Sequence, residues 1–279
     1  MSMSNPSLEI SQLFSTLPAP HPNFSKAFAF SIHKAGSSLM MSLLTQYCKA
    51  INFPSINISE VMFNEGIFDR DWFQLTELRE VINEGYLHLG FRALPEILNP
   101  NSEHMVVNPR DYRACLLVRD PRDCLVSQYY SMGRSEDSSH VSPKKNTEAW
   151  LEFCRKQATN TIDDYALVNC EWLFTKFENY LAVVINNPNI RVFRYEDIYF
   201  DKLSFLIDML EWFSIPIDQT VVEAVAKQND IRPDEEDWSK HIRKGTPGDY
   251  REKLSAETTS KLTTYFAELM ANYGYSLVS

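Results

Sequence analysis

Short apolar runs alternate along this chain with longer segments in which apolar residues recur at helical spacing. Four runs read as strands: "KAFAFSI" (Lys26 to Ile32), "YLHLGF" (Tyr86 to Phe91), "RACLLVR" (Arg113 to Arg119) and "IRVFRY" (Ile190 to Tyr195). Their near-continuous apolar character predicts strands covered on both faces, as in a parallel sheet. Helical spacing marks residues 38–50, 121–132, 147–157, 162–185, 203–213, 219–228 and 256–273. Strands alternating with helices predict a three-layer α/β/α fold around a central, mainly parallel sheet. Ligands of such sheets sit beyond the carboxyl ends of the strands, which directs attention to the turns after Ile32 and after Arg119. Residues 1–25, with four prolines, read as an N-terminal arm, and residues 26–279 as one domain.

Composition narrows the choices. Of 279 residues, 44% are hydrophobic, enough for one large core. The 27 basic and 37 acidic residues leave a net charge of -10, which argues against a general nucleic-acid or anionic-membrane surface, so any anion site must be a local pocket. Five cysteines (Cys48, Cys115, Cys124, Cys154, Cys170) contain no C-x-x-C pair and fall mostly in apolar runs, which predicts buried thiols in a reducing compartment. The start lacks the pattern of a signal peptide and no stretch approaches 18 uninterrupted apolar residues, so a soluble, cytoplasmic protein is expected.

Two polar connections stand out. Gly133 to Lys145 reads as a mobile loop or a disordered stretch, and Asp230 to Asp249 is too long for an ordinary link; long loops in compact domains are often lids.

Three basic elements carry the candidate chemistry. In "HKAGSS", Gly36 lets the backbone approach an anion, Ser37 and Ser38 open a helix with free amide hydrogens, and Lys34 adds a full charge. The lysine precedes the glycine, unlike the nucleoside triphosphate loop G-x-x-x-x-G-K-[ST], and no magnesium-binding hydroxyl follows it. In "LLVRDPRDCLVSQYYS", Asp120 is a natural N-cap and Pro121 fits the first helical position. Arg119 then ends the strand, and Ser127 lies two turns into the helix, where both can hold one anion. In "IRKGTPGDY", Arg243 and Lys244 beside Gly245 form a further donor cluster. Each element is also compatible with a structural role; together they imply a ligand with more than one phosphate-like group.

In the order of these motifs the chain resembles the soluble, cytosolic-type sulfotransferases that use 3′-phosphoadenosine 5′-phosphosulfate (PAPS), from about Phe28 to Tyr250. The resemblance implies a P-loop-like sulfotransferase fold and a loop, Lys34, Ala35, Gly36, Ser37, Ser38 and Leu39, that grips the 5′-phosphosulfate. It implies that Arg119 and Ser127 bind the 3′-phosphate, that Arg243, Lys244 and Gly245 close on it, and that Tyr195 of "RYED" lies near adenine. The family's catalytic histidine precedes L-P-x-x-x-L-P, and "HLGFRALP" matches it with His88, which would act as general base beside Lys34. A lone strand histidine is otherwise more often a core residue. His33 is assigned to orienting Lys34 or the acceptor.

The chain departs from the family pattern at Leu39 (tryptophan in the family), at Ala35 (serine) and at Tyr86 (lysine). No dimer motif is visible, and the oligomeric state is left open. The reaction implied is transfer of a sulfuryl group to a hydroxyl or to an amino or carbamoyl nitrogen of a small-molecule acceptor, for which a microbial natural product is one candidate, without a metal. Alternatives are a divergent ATP- or GTP-dependent phosphotransferase and a non-catalytic nucleotide-binding protein. The acceptor is expected against Asn57 to Phe73, Gly133 to Lys145 and the acidic segment Asp234 to Asp237.

Overall fold

The structure, a computed structural model, describes residues 10–14, 17–72, 75–133, 142–158, 161–237, 240 and 242–275. Five parallel strands, β1 (Ala27–Ser31), β2 (Ser55–Asn57), β3 (Leu87–Phe91), β4 (Arg113–Val118) and β5 (Ile190–Arg194), form a sheet in the order β2-β3-β1-β4-β5. Every residue of β1 and β3 is buried, which accounts for the unbroken apolar runs. In register, Phe28 pairs with His88 on one side and Ala114 on the other.

On one face lie the helices Ser37–Ala50, Lys202–Phe213 and Gln219–Asn229; on the other, Pro121–Gln128, Ile162–Val184, Ala256–Tyr265 and Ala267–Asn272. The expected three layers are therefore present. Two tyrosines donate to main-chain carbonyls: Tyr180 to Phe91 at 2.9 Å, tying a helix to the sheet, and Tyr47 to Pro216 at 2.7 Å, tying neighbouring helices within one layer.

Several elements differ from the sequence reading. The edge strand β2 has only three residues, too few for a periodic signal. The helix Ile58–Asn64 follows it directly, capped by the Asn57 side chain on the Glu60 amide. The helix expected over 121–132 stops at Gln128 and continues as a wider π turn over Tyr129–Gly133. The expected helix 256–273 is broken between Tyr265 and Ala267. Near the N-terminus, Pro18 accepts from Tyr86 Oη at 2.6 Å and His21 donates its amide to Gly85 at 3.0 Å. Most of the loop 133–145, namely residues 134–141, lies outside the described residues.

All five cysteines are free thiols, four of them buried. Among the described residues no helix is long and apolar enough to cross a membrane, and no cluster of metal-ligating side chains occurs.

Candidate active site

All five strands deliver a polar residue, at or just beyond their carboxyl ends, to one cleft of about 740 Å³: Asn57 from β2, Arg92 from β3, His33 and Lys34 from β1, Arg119 from β4 and Tyr195 from β5. Parallel pairing alone produces this convergence, because strands running the same way end on the same edge.

The β1 turn is built as an anion cradle. Lys34 and Gly36 both take left-handed backbone angles, with φ of 64° and 95°. A Cβ at Gly36 would lie 2.7 Å from the Tyr195 ring, so only glycine fits. No side chain caps the helix Ser37–Ala50, which leaves its first amides, at the positive end of the helix dipole, open to a ligand. Lys34 donates to Ser131 Oγ at 3.1 Å. Burial, with the charges of Arg92 and Arg119 close by, lowers its pKa to about 8. A lysine destabilised by like charges is matched to an anion.

Arg119 lies over the Tyr195 ring at 4.5 Å and 3.4 Å from Asp123. Tyr195 in turn donates to the Gly245 carbonyl at 2.7 Å, linking β5 to the late loop. Ser127 lines the same cleft. On that loop Arg243 reaches Glu236 and Asp249 and stacks 4.0 Å over Tyr130, and Lys244 pairs with Asp249 at 2.9 Å and Glu252 at 2.7 Å. The acidic segment is thus divided. Asp234 and Glu235 are exposed, whereas Glu236 folds inward onto Arg243 and Lys253.

Three nitrogens among the cleft-lining residues are buried without a hydrogen-bond partner: His33 Nδ1, Arg92 Nε and Arg119 Nε. Buried polar atoms are normally satisfied, so these three mark where a ligand's oxygens fit.

Two of the expected site residues, His88 and Ala35, lie outside the cleft lining. His88 is fully buried in β3, its ring stacked at 5.1 Å on Phe28, with Nδ1 and Nε2 each 3.3 Å from a carbonyl, of Ala27 and Val81. It lies outside the cleft lining, and burial lowers its pKa to about 4. It is a core histidine, because strand alternation and pairing point its ring between layers. Ala35 is also buried, with its amide donating to Ile32, and shapes the turn from the core side. Lys34, Gly36, Ser37, Ser38, Leu39, Arg119, Ser127, Tyr195, Arg243, Lys244 and Gly245 do meet around the cleft.

Sequence reading missed Arg92, Tyr130 and Ser131. Arg92 is the first residue after β3, and the carboxyl-end rule applied to that strand would have found it. Tyr130 and Ser131 lie three and four residues after Ser127, on the same side of the helix and its π-turn continuation, and that spacing would have found them.

Residues 25–274 match the family model described as "Sulfotransferase domain". Sulfotransferase 6B1 of Danio rerio is 23% identical over 190 residues, which are 64% of this chain and 59% of that protein. The alignment therefore spans under two thirds of that relative. Mouse sulfotransferase SULT7A1, solved in complex with PAP, superposes with a TM-score of 0.59 at 14% identity, covering 93% of this chain and 89% of that one. Retinol dehydratase, solved with androsterone and the inactive cofactor PAP, gives a TM-score of 0.55 at 14% identity, covering 93% and 84%. At these identities the structural likeness speaks for the fold, and the family match covers nearly the whole chain. The protein belongs to the sulfotransferase family.

Proposed function

We propose that this protein transfers a sulfuryl group from PAPS to a hydroxyl or amine of a small-molecule acceptor. The observation that carries this reading is the convergence of Lys34, Arg92, Arg119, Arg243 and Lys244 with the uncapped helix end at Ser37 on one cleft. The residues fit the donor. Its two phosphate positions need two separate groups of cations, which the Lys34 turn and the Arg119 to Lys244 face supply, and the buried Arg92 Nε and Arg119 Nε there have no other partner.

The bound donor supplies an activated sulfuryl group and a phosphate that can leave. Lys34 and the first amides of the Ser37–Ala50 helix are suited to hold the 5′-phosphosulfate and its growing negative charge. Arg119 and Ser127, closed by Arg243 and Lys244, are suited to the 3′-phosphate, with Arg119 presenting its planar fork. Phe63, Trp150, Met132 and Leu39 supply the apolar walls, which favour a largely apolar acceptor and keep water from the reacting atoms.

The test is calorimetric titration with adenosine 3′,5′-bisphosphate and, separately, with ATP and magnesium. Binding of the bisphosphate that weakens at least tenfold in Arg119→Ala supports the reading. Preference for ATP with magnesium would overturn it in favour of phosphoryl transfer, and binding of neither would leave a scaffold without a donor site.

A further inference from the structure

With His88 enclosed in the core, the cleft needs another proton acceptor. Its lining contains one histidine among the described residues, His33, and three carboxylates, Glu60, Asp123 and Asp249. Two of the carboxylates are already committed. Asp123 accepts from the Gly248 and Tyr250 amides at 2.6 and 2.9 Å, and Asp249 is paired with Arg243 and Lys244. Glu60 sits on the exposed rim and accepts from the Asn57 side chain at 3.0 Å.

His33 differs from all three. It directly precedes Lys34, on the turn that would hold the transferring group, and its Nδ1 is buried without a partner. The ring meets the edge of Trp172 at 5.3 Å, which fixes its orientation. Three cations surround it from three elements: Lys34 on its own turn, Arg92 after β3, and Lys176 on the Ile162–Val184 helix, itself 4.7 Å over Trp172. Burial and then these charges hold its pKa well below the usual histidine value, so the ring is neutral at pH 7. Among the described residues neither Lys34 nor Arg92 is paired with a carboxylate. An anion on this turn would therefore cancel the charge that suppresses the imidazole.

We propose that His33 takes the acceptor's proton during sulfuryl transfer, and that the donor anion enables it to do so by neutralising Lys34 and Arg92. This rests on the donor-site reading above. The acceptor oxygen or nitrogen gives its proton to the neutral imidazole, forms the new bond to sulfur and displaces the 5′-phosphate, which keeps the electron pair of the broken S–O bond. Base and donor are thereby coupled: the base gains strength only when there is a group to transfer.

The experiment is an NMR pH titration of the full chain with labelled histidines, free and saturated with adenosine 3′,5′-bisphosphate, with His33→Asn assigning the signal. A rise of about one pH unit or more in the His33 midpoint on binding is expected. So is a rise in the free protein on Arg92→Met. A second measurement follows labelled sulfate released from PAPS with water as acceptor. His33→Asn should lower that rate about a hundredfold while the bisphosphate Kd stays within about threefold, and His88→Phe should leave the rate unchanged. An unmoved or lowered His33 midpoint, or a His33→Asn rate equal to the wild type's, overturns the proposal while the donor site stands. Failure of the bisphosphate to bind wild-type protein overturns the donor site and this proposal together.

Discussion

Asp123, in the first turn of its helix, and Arg119, just beyond β4, lie four residues apart with 3.4 Å between carboxylate and guanidinium, yet Asp123 also accepts the amide hydrogens of Gly248 and Tyr250, at 2.6 and 2.9 Å. One buried carboxylate thus both orients the arginine and fastens the late loop over it. Asp123→Ala strands a buried guanidinium and two amides, and should cost about 3 kcal/mol of stability in denaturant unfolding. It should weaken bisphosphate binding as well, since Arg243 and Lys244 ride on the loop it anchors. Unchanged affinity in a variant that is still folded would show the loop to be held by other contacts.

Lys34 should show the opposite trade. Its folded pKa, about 8, lies below the ordinary lysine value, so between pH 8 and about 10.4 the unfolded chain binds more protons and stability rises with pH. At neutral pH the charge is a cost to the fold. Lys34→Met should therefore raise Tm at pH 7 while lowering bisphosphate affinity about tenfold or more. In wild-type protein that affinity should be steady from pH 6.5 to 7.5 and fall as the pH passes 8, which titration calorimetry at several pH values would read.

For His88 the relevant measurement is stability against acid. Its folded pKa of about 4 lies below the unfolded value of about 6.5, so the unfolded state gains the proton first and stability falls as the pH drops through that interval. His88→Phe removes that loss. Between pH 7 and pH 4 the variant should lose about 3 kcal/mol less stability than wild type in urea unfolding. An identical acid response would place the ring in contact with water.

Gly36 admits no side chain. Its φ of 95° and the Tyr195 ring 2.7 Å from a Cβ there act independently. Gly36→Ala should lower both stability, by about 1–3 kcal/mol, and bisphosphate affinity. Tyr195→Ala should not restore the loss, because the backbone strain persists; full recovery in the double variant would assign the whole effect to the ring.

Glu236 pairs with both Arg243 and Lys253. A bisphosphate must compete with it for Arg243. Glu236→Gln should tighten bisphosphate binding several-fold at low salt, with the gain fading as ionic strength rises. Weaker binding would mean that Glu236 positions Arg243 for the ligand.

Local chemistry accounts for the features legible in the amino-acid order. The apolar runs of β1, β3, β4 and β5 announce strands covered on both faces, and the Asp120-Pro121 start of its helix is written in cap and dihedral preference. The order of Lys34-Gly36-Ser37, Arg119-Ser127 and Arg243-Lys244-Gly245 points to residues that the fold brings around one cleft. Which residues meet depends on long-range packing. Pairing in register put His88 beside Phe28 in the core and left Arg92, four residues later, as the polar group that β3 delivers to the cleft. A motif with the right spacing cannot report this, because a strand's side chains alternate between faces and its last residue alone reaches the ligand edge. The three-residue strand β2, the π turn over Tyr129–Gly133, and the use of Asp123 by a loop more than a hundred residues away were likewise beyond sequence reading. Each depends on contacts between segments distant in the chain, and their free energy outweighs local preference.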